Sequence, residues 1–288
     1  MVSCRDAWRQ IRERLQQAGL EDPSADANLL LELAAGANWR WQAEELDAKQ
    51  EEKLKNWTEK RIKRWPIQYL VGHWPFLDLE LEVGPGVLVP RADTEVVCQA
   101  AADLLKGQTG PRILDLCAGS GALGLGLKRL IPGALVTELE ASPEAFPYLE
   151  RNCKNALPQP DGSLAAQPVF GDVFQYQEQL EPGQWDLIVS NPPYLTESEM
   201  GQLQPEVAFE PAMALDGGSD GLDFYRHIAS AYRQAVRPGG WLVFEIGWQQ
   251  REAVQQLLQN SGWTQVGGCP DFGGNDRAVW AQNPILNP

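Results

Sequence analysis

Arg112-Ile113-Leu114-Asp115-Leu116-Cys117-Ala118-Gly119-Ser120-Gly121 decides the fold. An apolar run of this length, bounded by turn residues, reads as a buried parallel strand. The glycines after it let the chain turn sharply and let a ligand approach the backbone. Ala122 to Leu130 then reads as a helix, so the stretch is a strand–turn–helix unit. Its spacing Gly119-x-Gly121-x-x-Gly124 matches the dinucleotide fingerprint, which alone is a weak signal. A phosphate-binding loop and a plain tight turn both fit it.

The same alternation continues outward. Strands are expected at Ala134 to Glu140, near Val169, at Asp186 to Ser190 and at Trp241 to Ile246. Helices are expected at Pro143 to Asn155, about Gly221 to Val236 and about Gln249 to Gln259, with two final strands near 263–268 and 277–282. Such alternation implies an α/β domain: a mostly parallel sheet with helices on both faces, covering 93–288.

Residues 1–75 read differently. Trp8, Ile11, Leu15 and Ala18 share a helical face that Gly19 ends, and Asp22-Pro23-Ser24 starts a second helix that Gly36 stops. A third segment, about Ala43 to Arg64, carries Leu46, Leu54, Trp57 and Ile62 among many charges. It is locally basic, as a solvated helix face or a binding patch would be. Between the two parts, 76–92 reads as a linking β-hairpin. Leu77, Leu79, Leu81 and Val83 alternate with Asp78, Glu80 and Glu82, and Gly84-Pro85-Gly86 turns the chain into Val87-Leu88-Val89.

Bulk properties exclude several classes. No stretch approaches the roughly 18 apolar residues of a membrane span, and residues 1–15 lack a signal-peptide core. Five scattered cysteines with no CxxC pair, beside two histidines, leave no metal site and suggest reduced thiols in the cytoplasm. Net charge is −15, and all of the excess lies beyond residue 75, because residues 1–75 hold twelve basic and twelve acidic residues. An acidic second part is poorly suited to neutralising phosphates, so no stable nucleic-acid partner is expected.

The chemistry-bearing residues fall at strand ends, where open α/β sheets bind ligands. Glu140, about 20 residues beyond the glycine turn, can accept hydrogen bonds from both hydroxyls of a ribose. Asp172 can take the amino group of an adenine, with Val173 packing on the base. Asn191-Pro192-Pro193-Tyr194 follows the strand at 186–190. Prolines stiffen the backbone and remove donors, the Asn offers an amide, and the Tyr offers a flat ring. Together they make a slot for a planar group bearing an NH2, such as a carboxamide or an exocyclic base amine.

These residues bring the chain to a resemblance. It resembles the class I S-adenosylmethionine-dependent methyltransferases, with a Rossmann-like domain of seven strands and a small N-terminal helical bundle. Within them it is similar to the HemK/PrmC family of release factor glutamine methyltransferases. The motifs are Arg64-Trp65-Pro66-Ile67-Gln68-Tyr69-Leu70-Val71-Gly72, Pro90-Arg91-Ala92-Asp93-Thr94-Glu95, Asp115 to Gly121, Glu140 to Ala145 and Asn191 to Tyr194. Phe209-Glu210-Pro211, Gly217-Gly218, Asp220-Gly221-Leu222, Pro238-Gly239-Gly240, Glu245-Ile246-Gly247 and Asp276-Arg277 continue it. The resemblance implies that Cys117, Ala118, Gly119, Ser120, Gly121, Glu140, Asp172, Val173 and Asn191 bind S-adenosyl-L-methionine and release S-adenosyl-L-homocysteine. It implies that Asn191, Pro192, Pro193 and Tyr194 bind a glutamine of the GGQ loop of peptide chain release factors. There Asn191, Pro192 and Tyr194 direct methylation of its amide nitrogen, and residues 1–75 recognise the substrate protein. Cys117 and Ala118 stand where the family usually has Gly and Thr. Cysteine tolerates positive φ poorly, so residue 117 is expected in ordinary backbone space.

Other readings stay open at this stage. A nucleic-acid N-methyltransferase acting on adenine N6 or guanine N2 would use the same slot for a flipped base. A nicotinamide-dependent oxidoreductase would use the glycine turn but leave Asn191–Tyr194 without a role.

Overall fold

The computed structural model describes residues 2–41 and 45–285. The chain forms two compact units: Met1–His73 with Gln204–Phe209, and Trp74–Leu203 with Glu210–Pro288.

The first unit is helical. Helix α1 (Cys4–Gln17) starts at Ser3, whose hydroxyl accepts the Asp6 N–H. Helix α2 (Pro23–Ala35) is capped by Asp22 and stops at Gly36. Helix α3 (Ala48–Ile62) opens on a reciprocal Asp47–Gln50 capping box, which places its start after the expected one. Gln42 to Glu44, including the expected start at Ala43, lie outside the described residues. A short α4 (Ile67–Val71) follows. Leu15, Leu30, Leu31, Leu46 and Leu54 are buried, as helical spacing of apolar residues requires. Arg61 is also buried, its Nε donating to Asp26 at 2.7 Å.

A hairpin of β1 (His73–Phe76) and β2 (Leu79–Glu82) comes next. It reverses at Leu77-Asp78 rather than at Gly84–Gly86, and Glu95 fixes the turn by accepting the Leu77 N–H at 2.8 Å. Val87-Leu88-Val89 is not a strand. The Val89 N–H donates to the Glu210 carboxylate at 3.0 Å, so a side chain takes the donor that a partner strand would have used.

Helix α5 (Ala92–Leu104) precedes the sheet and is absent from the sequence-based assignment. The alternating elements are β3 (Arg112–Leu116), α6 (Ala122–Leu130), β4 (Leu135–Glu140), α7 (Phe146–Asn155), β5 (Gln167–Phe170), α8 (Val173–Tyr176) and β6 (Trp185–Ser190). They continue with α9 (Glu197–Met200), α10 (Asp223–Ala231), β7 (Val236–Glu245), α11 (Arg251–Asn260), β8 (Thr264–Pro270) and β9 (Asp276–Gln282). The helix expected over 221–236 is shorter. It breaks into a 3-10 turn at Arg233–Ala235, and β7 already begins at Val236.

The seven strands lie in the order β5-β4-β3-β6-β7-β9-β8. Neighbours from β5 to β7 are parallel, while β9 runs antiparallel to both β7 and β8. Alternate residues face opposite layers, as strand geometry dictates. Ile113, Leu187, Val189 and Val243 pack with Val97 and Cys98 of α5, Leu123 and Leu125 of α6, and Leu149 of α7. Leu114, Ile188, Leu242 and Phe244 pack with Tyr225 and Ile228 of α10 and Val254 and Leu258 of α11. The chain winds outward from β3 to β5, then restarts at β6 on the other side of β3. The crevice at such a switch point is where α/β sheets bind ligands. Among the described residues no helix is long and apolar enough to cross a membrane, and no group of three His, Cys, Asp or Glu could hold a metal ion.

Candidate active site

A cavity of about 410 Å³ opens at the carboxyl ends of β3, β4, β5 and β6. Its floor is the turn after β3. Cys117 adopts φ 62°, against the expectation from its side chain. The turn over-determines that conformation. The Ala118 N–H donates to the Leu139 carbonyl at 2.9 Å, the Gly121 N–H returns to Ala118 at 2.8 Å, and the Cys117 side chain packs in the core beneath. Burial, then the charge of Glu140, pushes its thiol up, which disfavours the thiolate.

The three glycines of the turn have different work. Gly119 lines the cavity, and a Cβ there would meet no protein atom within 4 Å. Gly121 does not line the cavity; a Cβ there would fall 2.7 Å from the Glu138 carboxylate. At Gly124 the same addition would fall 2.3 Å from it. The later glycines thus make room for a buried Glu138, which faces Asp115 in register across β3 and β4. Asp115 Oδ2 accepts the Gly124 N–H at 2.8 Å and fixes the start of α6. Burial raises both carboxyls, and the charge of Asp115 raises Glu138 further.

Glu140 ends β4 with both oxygens committed to backbone donors: Oε2 accepts the Gly119 N–H at 2.7 Å and Oε1 the Ser142 N–H at 2.6 Å. Each oxygen keeps a second lone pair for a ligand hydroxyl. Burial pushes this carboxyl up, opposed by those N–H groups. Asp172 caps α8 through the Phe174 N–H at 2.9 Å, and Asp172, Val173 and Phe174 line the next wall. Phe174 lies 5.0 Å from the Phe224 ring, which also lines the cavity.

Asn191 and Pro193 reach the cavity, whereas Pro192 and Tyr194 do not line it. Pro192 is buried. The Tyr194 ring packs with the core below, its hydroxyl raised by burial and by the charge of Glu245. Its carbonyl accepts the Gln250 Nε2 at 2.9 Å, so the backbone of this stretch is tied to the loop after β7. Of the residues expected at the site, Cys117, Ala118, Gly119, Ser120, Glu140, Asp172, Val173, Asn191 and Pro193 therefore meet in one cavity.

Several lining residues have no role in the sequence reading. Arg91 and Thr94 come from the Pro90–Glu95 motif, Ser142 follows Glu140, and Pro211, Met213, Ala214 and Asp216 form a wall. Arg91 pairs with Glu210, and the Thr94 hydroxyl donates to the buried Glu245 at 2.6 Å. The motifs at 90–95, 209–211 and 245–247 were the available signal, since each is part of the family pattern.

Among the described residues the charges lining the cavity are Glu140, Asp172 and Asp216 against Arg91; Asp115 also lines it, with its carboxyl pushed up to about 8 by burial. Arg91 is already paired, the Gly119 N–H is used by Glu140 and the Gly124 N–H by Asp115. A pyrophosphate would find neither a free cation nor these N–H groups at the helix start, whereas a cationic ligand is well matched.

Comparison with known proteins agrees. The PrmC N-terminal domain model matches residues 6–72, and the methyltransferase small domain model matches 94–213. A release factor glutamine methyltransferase of Caulobacter vibrioides is 35% identical over 98% of this chain and 97% of its own length. The chain belongs to the release factor glutamine methyltransferase family. A family member from Geobacter sulfurreducens is 40% identical over 76% of this chain and 74% of its own. A methyltransferase structure from Pyrococcus furiosus superposes with a TM-score of 0.52 at 17% identity, covering 83% of this chain and all of that one, which shows the shared fold. The family depends on S-adenosyl-L-methionine, and the cavity fits it: an acidic lining for a cation, an open backbone at Gly119 and a carboxylate at the end of β4.

Proposed function

We propose that this chain methylates the side-chain amide nitrogen of a glutamine in the GGQ loop of peptide chain release factors. The observation that carries the mechanism is that Glu140 and Asn191, at the ends of β4 and β6 on either side of β3, line one acidic cavity. S-adenosyl-L-methionine supplies there an electrophilic methyl on a sulfonium. When it is bound, Glu140 would accept the ribose hydroxyls and Asp172 the adenine amino group, with Val173 and Phe174 beside the base.

An amide nitrogen is a weak nucleophile because its lone pair is delocalised into the carbonyl. The residues therefore act by orientation and electrostatics. The Asn191 side chain, which lines the cavity, would accept one N–H of the glutamine amide, and the carbonyl of Pro192, next in the chain though outside the cavity lining, would accept the other. This holds the nitrogen toward the methyl and disfavours planar delocalisation as the new N–C bond forms. Tyr194, packed under this stretch, keeps its backbone from yielding. One N–H proton leaves to water once the nitrogen carries the methyl and has become acidic. Glu245 is no base for it, since its carboxylate is buried and occupied by Thr94.

The helical unit docks the release factor, and the reaction takes place in the cytoplasm, where that substrate works. Incubation with labelled S-adenosyl-L-methionine and recombinant release factor, followed by mass spectrometry, should place one methyl on the glutamine amide. Label appearing instead on naked DNA or RNA, with steep loss on adding salt, would make the exocyclic-amine reading the right one.

A further inference from the structure

The Asn191–Tyr194 stretch lies beyond the end of β6 at Ser190, and Pro192 and Pro193 have no backbone N–H to give. Its surroundings must hold it. Before it, the Ser190 hydroxyl donates to the Leu116 carbonyl at 2.6 Å. After it, the Leu195 N–H donates to the Leu215 carbonyl and the Gly217 N–H to the Leu195 carbonyl, each at 2.8 Å. Between these fixed points the Tyr194 carbonyl meets the side chain of Gln250.

Gln250 uses both ends of its amide. Oε1 accepts the Gly247 N–H at 3.0 Å and the Tyr225 hydroxyl at 3.4 Å. Nε2 donates to the Tyr194 carbonyl at 2.9 Å and to the Gly221 carbonyl at 3.2 Å. These partners leave one way round for the amide, since a backbone N–H needs its oxygen and two carbonyls need its NH2. The space around it is equally specific. A Cβ on Gly221 would strike the Tyr194 carbonyl oxygen and fall 2.7 Å from Gln250 Nε2, and one on Gly247 would fall 2.8 Å from Gln250 Oε1. Gln250 also stands at the N-cap of α11, where a short polar side chain would bond to the helix, but it makes no capping bond. Its side chain serves the neighbouring loops rather than its own helix. All of these residues belong to the second unit.

We propose that Gln250 is a positioning residue for methyl transfer, whose NH2 group fixes the Tyr194 carbonyl, and with it the Asn191 and Pro192 acceptors, against the loops at Gly221 and Gly247. This rests on the methyltransferase reading and deepens it. Gln250 does not line the cavity, so its effect passes through the backbone. It also gives the motifs at 220–222 and 245–247 a shared task, because each brings a backbone group to this one side chain.

Gln250→Leu and Gln250→Glu, both close to Gln in size, should be compared with the wild type in the full chain on release factor. Leu removes both halves of the amide, whereas Glu keeps an acceptor for Gly247 and loses the NH2. In both, kcat should fall about tenfold, the scale of a carbonyl left unpaired in a buried place, with calorimetric cofactor affinity and the KM for release factor nearly unchanged. Gln250→Glu should regain rate relative to the wild type as pH is lowered from 9 to 5, because a protonated carboxyl again has a hydrogen to give. Tyr194, Tyr225, Glu245 and Arg277 surround this point and are the same in both enzymes, so the ratio isolates residue 250. Full kcat in Gln250→Leu overturns the proposal, and so does a loss of kcat that cofactor affinity follows in step. A Gln250→Glu deficit equal at pH 5 and pH 9 overturns it too. If Gln250→Leu does not fold, Gln250→Glu decides by the same measurements. A wild-type protein that methylates no release factor sinks the methyltransferase reading instead. Hydrogen exchange at Tyr194 and Leu195, faster in the variants if Gln250 holds this stretch and unchanged if it does not, then still decides the role of Gln250.

Discussion

Gly217 lies so close to Tyr194 that a Cβ on residue 217 would fall 2.7 Å from the Tyr194 Cα and 2.9 Å from the Pro193 carbonyl oxygen. Those are backbone atoms, which cannot rotate aside as a flexible side chain can. Gly217→Ala must therefore push Asn191–Tyr194, and the amide acceptors with it. A displacement near 1 Å costs about 10²-fold in a positioned reaction. We expect kcat to fall by one to two orders of magnitude, roughly, on that basis. Calorimetric affinity for S-adenosyl-L-methionine should change little, because Glu140 ends β4 and Asp172 caps α8, both away from this contact. Wild-type turnover in Gly217→Ala would show that the acceptor backbone is not held by this contact.

Asn191→Ala separates orientation from cofactor binding. The variant keeps the turn after β3, Glu140 and Asp172, and loses one of the two proposed acceptors for the glutamine N–H groups. Methylation should drop below detection while cofactor affinity stays within a few-fold. The measurement is paired: radiolabel transfer to release factor, and cofactor titration on the same sample. Near-normal transfer would remove Asn191 from the mechanism.

Glu140→Gln is a sharper change than its size suggests. In the wild type one carboxylate accepts both the Gly119 and Ser142 N–H groups. A Gln can accept with only one atom, and its NH2 must face the other N–H. A donor left facing a donor in a buried place costs on the order of 1–3 kcal/mol, or about tenfold to a hundredfold in affinity. We expect cofactor affinity to weaken by that amount, with Glu140→Ala at least as weak. Equal affinities for wild type and Glu140→Gln by calorimetry would reject the ribose-binding role.

The strand ends were legible because each is a short apolar run broken by a polar residue. Leu114 and Leu116 lead to Gly119, and Ile188 and Val189 lead to Asn191. Helix α5 was not legible: it opens on Asp93, Thr94 and Glu95, and its buried positions are filled by small residues such as Cys98 and Ala101. What defines it is tertiary, the Thr94 hydroxyl on Glu245 and Glu95 on the Leu77 N–H. The Pro211–Asp216 wall has no periodicity and follows Glu210, whose carboxylate meets a partner more than a hundred residues away. Cys117 misled for a related reason, because its φ is set by bonds of Ala118 and Gly121 rather than by its own side chain.

Glu245 gives the protein a pH signature. It is 2% exposed, and burial raises its carboxyl from 4.5 to about 7, opposed by the Thr94 hydroxyl and by Arg277. The unfolded chain releases this proton near pH 4.5, while the folded chain keeps it until about pH 7. Between those values the folded state binds more protons, so stability falls as pH rises. The contribution is fully present below the unfolded value and lost as pH passes the folded one. The shift bounds it at about 3 kcal/mol. Asp115 and Glu138, also raised by burial, act in the same direction. Glu245→Gln leaves an oxygen to accept the Thr94 hydroxyl and removes the titration. Urea midpoints at pH 5, 6, 7 and 8 should therefore show the wild type losing ground to Glu245→Gln from pH 5 to about 7 and the difference levelling off by pH 8. A difference between the two proteins that stays constant across this range would mean that Glu245 is already ionised in the folded state at pH 5, with Arg277 and Thr94 outweighing its burial.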